Sequence, residues 1–226
     1  MSDSPGFTVM PPICLTFDNG PEPEVTPGVL DVLARRGLAA TFFVIGKKLR
    51  APAAFALAER ARAEGHRIGN HTFTHGESLG RRSAAEAVAE IAQTDALMGA
   101  LHGPERLFRP NGGGGAIGPH LLNAAALRHL EAQRHTVVLW NAVPGDFRDP
   151  EGWPGTARAM LDSAREPVLL VLHDLPNGAM RHLDRFLGTL LDAGVVFTQE
   201  PPPACVPLRR GLDEGDIARY VTEETT

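Results

Sequence analysis

The chain has 226 residues, 43% hydrophobic and 22% charged, which is enough apolar material to bury the core of one large domain. Lys and Arg number 22 against 27 Asp and Glu, and the resulting charge of −5 argues against nucleic acid or a membrane surface as the main partner. No apolar run is long enough to span a bilayer, and the first residues lack the basic start and apolar stretch of a secretory signal, so a cytoplasmic location is expected.

Ile13–Phe17 reads as a buried strand that runs directly into Asp18-Asn19-Gly20-Pro21. Those residue types suit a turn for backbone reasons, and they equally suit the mouth of a barrel that presents side chains to a substrate. Thr26 is expected to cap a helix with Pro27 at its first position, Val29, Leu30 and Leu33 inward, and Gly37 at its close. Ala40–Ile45 is a second strand of β-branched and aromatic residues. A helix through Ala53–Ala63 ends at Gly65, and His66–Asn70 leads into His-Thr-Phe-Thr-His at 71–75. Ser83-Ala-Ala-Glu86 is a capping box that opens a long helix to about Leu101.

Leu107-Phe108 is a short strand before Arg-Pro-Asn-Gly-Gly-Gly-Gly at 109–115, and a helix follows through Leu121–Leu130. Thr136–Trp140, Val168–Leu172 and Val195–Thr198 are three further strands. The helices between them run through about Gly155–Ser163 and Met180–Leu191, the latter with Leu183, Phe186, Leu187, Leu190 and Leu191 at helical spacing. Cys14 lies in the first strand, where a buried inert thiol is expected, and with Cys205 so distant no disulfide framework or Cys-rich zinc site is expected.

Strands alternating with helices imply a parallel sheet with right-handed crossovers. Seven of them predict an α/β fold, a single-domain distorted (β/α)7-type barrel over residues 13–199. Residues 1–12 are then a lead-in and residues 200–226 a peripheral tail. The polar residues fall at strand ends: Asp18-Asn19 after the first, His71 and His75 after the third, and Arg109 after the fourth. Asp146 follows the fifth, and His173-Asp174 closes the sixth. In a parallel barrel all those ends share one face, so these groups are expected in one site. His71 and His75, four apart, would face the same way in a helical turn and could bind one ion.

On these motifs the chain resembles the polysaccharide deacetylases of the fourth carbohydrate esterase family, from Ile13 to about Thr198. The family's Thr-Phe-Asp-Asp-Gly-Pro appears as Thr16–Pro21, its His-[Ser/Thr]-x-x-His as His71–His75, and its Arg-Pro-Pro-Tyr-Gly as Arg109–Gly113. Its Asp-Trp pair appears as Asp146-Phe147 and its Leu-x-His ends at His173. Five motifs in family order carry the resemblance; none would alone.

The resemblance implies hydrolysis of an acyl group, typically N-acetyl, from a carbohydrate or other small N-acylated substrate. It implies a divalent metal, zinc first with cobalt or nickel as alternatives, on Asn19, His71 and His75. Asp18 would be the general base, Arg109 would hold the Asp18 carboxylate, Asp146 would anchor Arg109 from behind, and His173 would be the general acid. The metal and a backbone N–H in the Asn111–Gly113 loop would stabilise the oxyanion, with Asn111, Gly112, Gly113, Phe147 and Trp140 around the substrate.

The chain departs from the family where Asn19 replaces a charged metal ligand, Gly112 an aromatic wall, and Phe147 a tryptophan. Two rivals therefore stay open: a metal-free amide hydrolase acting on a small cytoplasmic compound, and a carbohydrate-binding relative without catalysis. The run Gly112–Gly115 lacks the Lys-[Ser/Thr] of a phosphate-binding loop. His66, His102, His120, His129, His135 and His182 are expected in solvated or structural roles.

Overall fold

The computed structural model describes residues 10–223; most of the expected lead-in and the last three residues of the tail lie outside the described residues. Seven strands form where the apolar stretches predict them: β1 (Ile13–Asp18), β2 (Thr41–Val44), β3 (Arg67–Asn70), β4 (Leu107–Phe108), β5 (Thr136–Val137), β6 (Val168–His173) and β7 (Phe197–Thr198). They pair in parallel in the order β6-β1-β2-β3-β4-β5, with β7 on β1.

The sheet curls until its two ends nearly meet. Beyond β5, Ala142 forms a parallel bridge with Leu170 of β6, its N–H donating to Leu169 O and its carbonyl accepting from Val171 N. β7 is not a full stave. It covers only Ile13 and Cys14 of β1, on the edge that β2 takes over from Thr16.

Six helices follow the strands: α1 (Thr26–Arg36), α2 (Pro52–Ala63), α3 (Ala84–Met98), α4 (Ala124–Ala132), α5 (Trp153–Ser163) and α6 (Leu183–Asp192). The capping box at Ser83 and Glu86 is formed in both directions, which fixes where α3 starts. Thr26 does not cap α1; Val25 precedes the helix, and Thr26 lies in its first turn. The Thr26 hydroxyl accepts the Glu22 N–H at 2.7 Å and donates to the buried Asp174 carboxylate, so it serves two tertiary partners instead.

Side chains alternate along β1 and β6 and so divide the core. Ile13, Leu15 and Phe17, with Leu170 and Leu172, face a cluster shared with α1, α5 and α6. Cys14, Leu169 and Val171 face the interior of the curl, with Phe43 and Phe108. The same alternation puts Asp18 and His173, opposite each other in register, at the top of that interior face.

The tail expected to be peripheral is part of the sheet. β8 (Leu208–Arg209) runs antiparallel to β5 with Leu208 opposite Val137, and β9 (Leu212–Asp213) completes a hairpin. The backbone of β5 needs a partner on its outer edge. Cys205, Val206, Leu208 and Ile217, scattered among charged residues, supply the apolar contacts that hold the tail there. No helix among the described residues is long and apolar enough to cross a membrane.

Candidate active site

The site lies in a cleft of about 270 Å³ at the C-terminal ends of the strands, lined by Asp18, Asn19, His71, His75 and His173. Pro110, the glycine run, Trp140, Val143 and Phe147 form much of the rest of the wall.

Asp18 ends β1 and is buried. Its Oδ1 accepts a hydrogen bond from Arg109 Nη1 at 2.7 Å, and its Oδ2 lies 3.5 Å from His71 Nε2. Burial alone would raise the Asp18 carboxyl, but the Arg109 guanidinium, with the charged His173 ring beyond it, outweighs burial and holds it below the ordinary carboxylate value. Arg109 is itself 0% exposed. Its Nη1 also reaches the Thr16 hydroxyl, its Nε and Nη2 donate to the carbonyls of Val138 and Leu139, and its plane lies 3.9 Å from the Phe43 ring centre.

That geometry corrects one expectation. Asp146 does not anchor Arg109, because two backbone carbonyls and the Phe43 ring already fill the space behind the guanidinium. Asp146, fully buried, binds His173 instead, taking its backbone N–H on Oδ2 at 2.7 Å and its ring Nδ1 on Oδ1 at 2.9 Å. Burial pulls the His173 ring down, but Asp146, as hydrogen-bond partner and as charge, more than offsets it, so the ring stays protonated above the ordinary histidine value. With Nδ1 engaged, Nε2 is the ring nitrogen left for the cleft.

The 71–75 segment is not a helical turn. Thr72 and His75 take left-handed φ values of 64° and 53°, and this folded loop brings the two imidazoles within 4.8 Å, centre to centre. Backbone N–H groups of Phe73 and Thr74 are held by Glu90 Oε2 at 2.9 and 2.8 Å, and the Thr74 hydroxyl by Glu90 Oε1 at 2.7 Å. Asn70 closes the other side. Its Oδ1 accepts from Thr72 N, and its Nδ2 donates to Ile91 O and to Asp95. α3 therefore holds the histidine loop through Glu90 and Asp95, neither of which any motif marked.

His71 Nδ1 lies 2.8 Å from the Arg109 carbonyl, which can only accept, so Nδ1 carries the proton and Nε2 the lone pair. Burial pushes His71 down to about 3 and also lowers His75, so both rings are neutral and able to ligate. A third candidate donor is Asn19 Oδ1, buried without any hydrogen-bond partner. Among the described residues no group of three His, Cys, Asp or Glu is gathered to hold a metal. Two neutral imidazoles and an orphaned amide oxygen on one cleft nevertheless fit a divalent cation, which would satisfy that oxygen.

The turn at the head of the site has a clear construction. Asn19 sits at φ 77°, where Asn is tolerated better than most residues, and the Gly20–Pro21 peptide is cis. A Cβ at residue 20 would collide with the Asp174 carboxylate, so glycine is required there. Asp174, although adjacent to His173, is packed behind this turn, where burial pushes its carboxyl up to about 7.

The remaining expectations divide. Gly112, Gly113, Phe147 and Trp140 line the cleft, and the Phe147 ring meets His173 edge-on at 4.8 Å. Asn111 is not among the lining residues: its Nδ2 donates to Gly76 O and its carbonyl accepts from Ser78, so it braces the loop after His75. Trp140 lies against the Cα of Gly112; a Cβ there would come within 2.6 Å of its ring. The aromatic wall missing at 112 is thus supplied from the segment after β5. Trp153 is in the core, bonded to Ala179 O. His135 is fully buried 2.9 Å from Asp95 Oδ2, and Cys14 and Cys205 are buried free thiols that burial pushes up to about 11.

Comparison with known proteins agrees with this construction. The family model for polysaccharide deacetylases matches residues 8–132. A chitooligosaccharide deacetylase of Sinorhizobium fredii is 36% identical over 175 residues, 74% of this chain and 74% of that protein. The peptidoglycan-N-acetylglucosamine deacetylase PgdA of Listeria monocytogenes is 29% identical over 188 residues, 82% of this chain but 37% of that protein. The structure of the peptidoglycan deacetylase PdaC from Bacillus subtilis superposes with a TM-score of 0.68 at 28% identity, covering 84% of this chain and 88% of that one. With its five motifs gathered around one cleft, the chain belongs to the polysaccharide deacetylase family, carbohydrate esterase family four, a family of hydrolases.

Proposed function

We propose that the protein is a metal-dependent deacetylase that hydrolyses the N-acetyl amide of a glucosamine-type sugar within a glycan. One observation carries the reading: a carboxylate held ionised, Asp18, and an imidazole held protonated, His173, share one cleft with two neutral imidazoles and an unsatisfied amide oxygen. Amide hydrolysis needs such a division, with a base for the water and an acid for the amine. The relatives named for chitooligosaccharide and for peptidoglycan N-acetylglucosamine support the sugar.

His71, His75 and Asn19 are the residues that would hold the cation. When bound, it supplies Lewis acidity toward the acyl carbonyl and its water. Asp18 takes a proton from water as the water oxygen bonds to the carbonyl carbon. Arg109 keeps Asp18 oriented and charged. A backbone N–H in the Asn111–Gly113 loop would stabilise the developing oxyanion. His173 Nε2 gives its proton to the amide nitrogen as the C–N bond breaks, releasing acetate and the free amine. Asp146 holds the Nδ1–H of His173, so that the proton given comes from Nε2, and keeps the ring charged until that step.

The test is acetate release from N-acetylglucosamine oligomers by protein purified without chelator, with bound zinc, cobalt and nickel quantified in the same sample. Release should stop in chelator and return with metal, and His173→Ala should lower turnover by roughly 10²–10⁴-fold. Undiminished release in chelator from metal-free protein overturns the metal requirement. Absence of release from every N-acetylated glycan, metal restored, overturns the function.

A further inference from the structure

The glycine run is explained by what it makes room for. Gly112 lies on Trp140, and Gly115 lies on Val143, where a Cβ would stand 3.4 Å from a methyl carbon. Gly114, at φ 99°, lies against the guanidinium of Arg148, which a Cβ there would strike. Arg148 Nη2 donates to Gly114 O at 3.2 Å, its plane lies 4.9 Å from the Phe147 ring centre, and its backbone N–H is fixed by Gly145 O at 2.8 Å. Gly114 and Phe147 both line the cleft, so the arginine spans two sides of its rim.

The charge on this rim is uncompensated. Arg158 and Arg181 each hold a carboxylate, Asp162 and Glu151 respectively. Among the described residues Arg148 has no such partner; Asp149, beside it in sequence, instead accepts the Gly152 N–H at 2.9 Å. A guanidinium has five donors in a planar fork, and one donor is committed here. In a chain of net charge −5, an exposed arginine pre-ordered by a stacked ring and a carbonyl, with its other donors free, is a ready anion reader.

We propose that Arg148 is a specificity-determining residue, and that the preferred substrate is an N-acetylated glycan bearing a carboxylate near the sugar that is deacetylated. The inference rests on the deacetylase reading and narrows its substrate. The ring beneath the guanidinium and the carbonyl beside it hold the fork in place, so binding a carboxylate costs little further side-chain entropy. A neutral glycan of the same size leaves those donors to water and gains nothing from them.

The test uses one matched pair of probes: a tetrasaccharide of alternating N-acetylglucosamine and N-acetylmuramic acid with free carboxylates, and the same tetrasaccharide with those carboxylates amidated. Acetate release gives kcat/KM for each, and calorimetry with Asp18→Asn gives the affinity of each without turnover. The acid form should be favoured about tenfold in kcat/KM, the size expected of a charge-assisted hydrogen bond. The preference should shrink as salt rises, fall to near parity in Arg148→Gln, and invert in Arg148→Glu. Equal kcat/KM for the two probes, or a preference that survives in Arg148→Gln, overturns the proposal while leaving the deacetylase reading intact. Binding of the acid form with no acetate released from either probe counts against the deacetylase reading and keeps the Arg148 assignment. Equal affinity of Asp18→Asn for the two probes overturns the Arg148 assignment.

Discussion

Asp146 holds His173 at two points, the ring Nδ1 at 2.9 Å and the backbone N–H at 2.7 Å, so one buried carboxylate fixes both the position and the charge of the proposed acid. The same carboxylate explains why the ring titrates above the ordinary value despite its burial. The pH dependence of the enzyme should therefore be set from this pair.

As a general acid, His173 must be protonated, so the alkaline limb of kcat/KM is expected above 6.5, the ordinary histidine value. Asp146→Asn removes the charge that raises the ring, and the limb should move to lower pH with a loss of turnover at neutrality. The stability effect has a definite sign. Because the folded value lies above the unfolded one, the stabilisation is complete below the unfolded value and is lost as pH rises through the folded value. The Tm gap between wild type and Asp146→Asn should thus be widest in mild acid and narrow toward alkaline pH. An unmoved limb would remove His173 from the role of acid.

Arg109 and Asp18 should behave as one unit. Arg109→Ala leaves a buried carboxylate without its partner, which costs about 3–5 kcal/mol of stability when a buried pair is broken from one side. In activity, Asp18→Asn should lower turnover by roughly 10²–10⁴-fold, and adding Arg109→Ala should lower it little further. A double-mutant cycle read both by chemical denaturation and by acetate release checks this. Full additivity in both readouts would mean that the 2.7 Å contact carries no functional coupling.

Asn19→Asp should tighten metal binding. Aspartate tolerates the left-handed φ of 77° about as well as asparagine, so the backbone of the turn is preserved. A full charge on an oxygen that now lacks a partner should raise affinity for zinc, cobalt or nickel by more than about tenfold, since opposite charges 4 Å apart attract by ~4 kcal/mol even at an effective dielectric of about 20. Titration after chelator treatment measures it. Peptide mass spectrometry across Thr16–Pro21 must first exclude deamidation at Asn19-Gly20. Equal affinity in the two proteins would take Asn19 out of the ligand set.

The amino-acid sequence alone reveals the strands, the helices and the face on which the chemistry gathers. Those follow from local causes: apolar alternation, a capping box at Ser83, and polar residues placed where parallel strands end. It also marked Asp18, His71, His75, Arg109 and His173, because motif spacing survives even where a neighbour such as Asn19 has changed. The pairing of side chains came with the fold. Asp146 belongs to His173 because carbonyls of Val138 and Leu139, 29 and 30 residues from Arg109, already occupy the guanidinium. The histidine pair is set by left-handed residues and by Glu90 on the next helix, not by helical spacing. Trp140 replaces the wall absent at Gly112, and the tail closes the edge of β5. Each is a long-range packing choice between groups with no sequence relation, so local propensity carries no trace of it until the chain is folded.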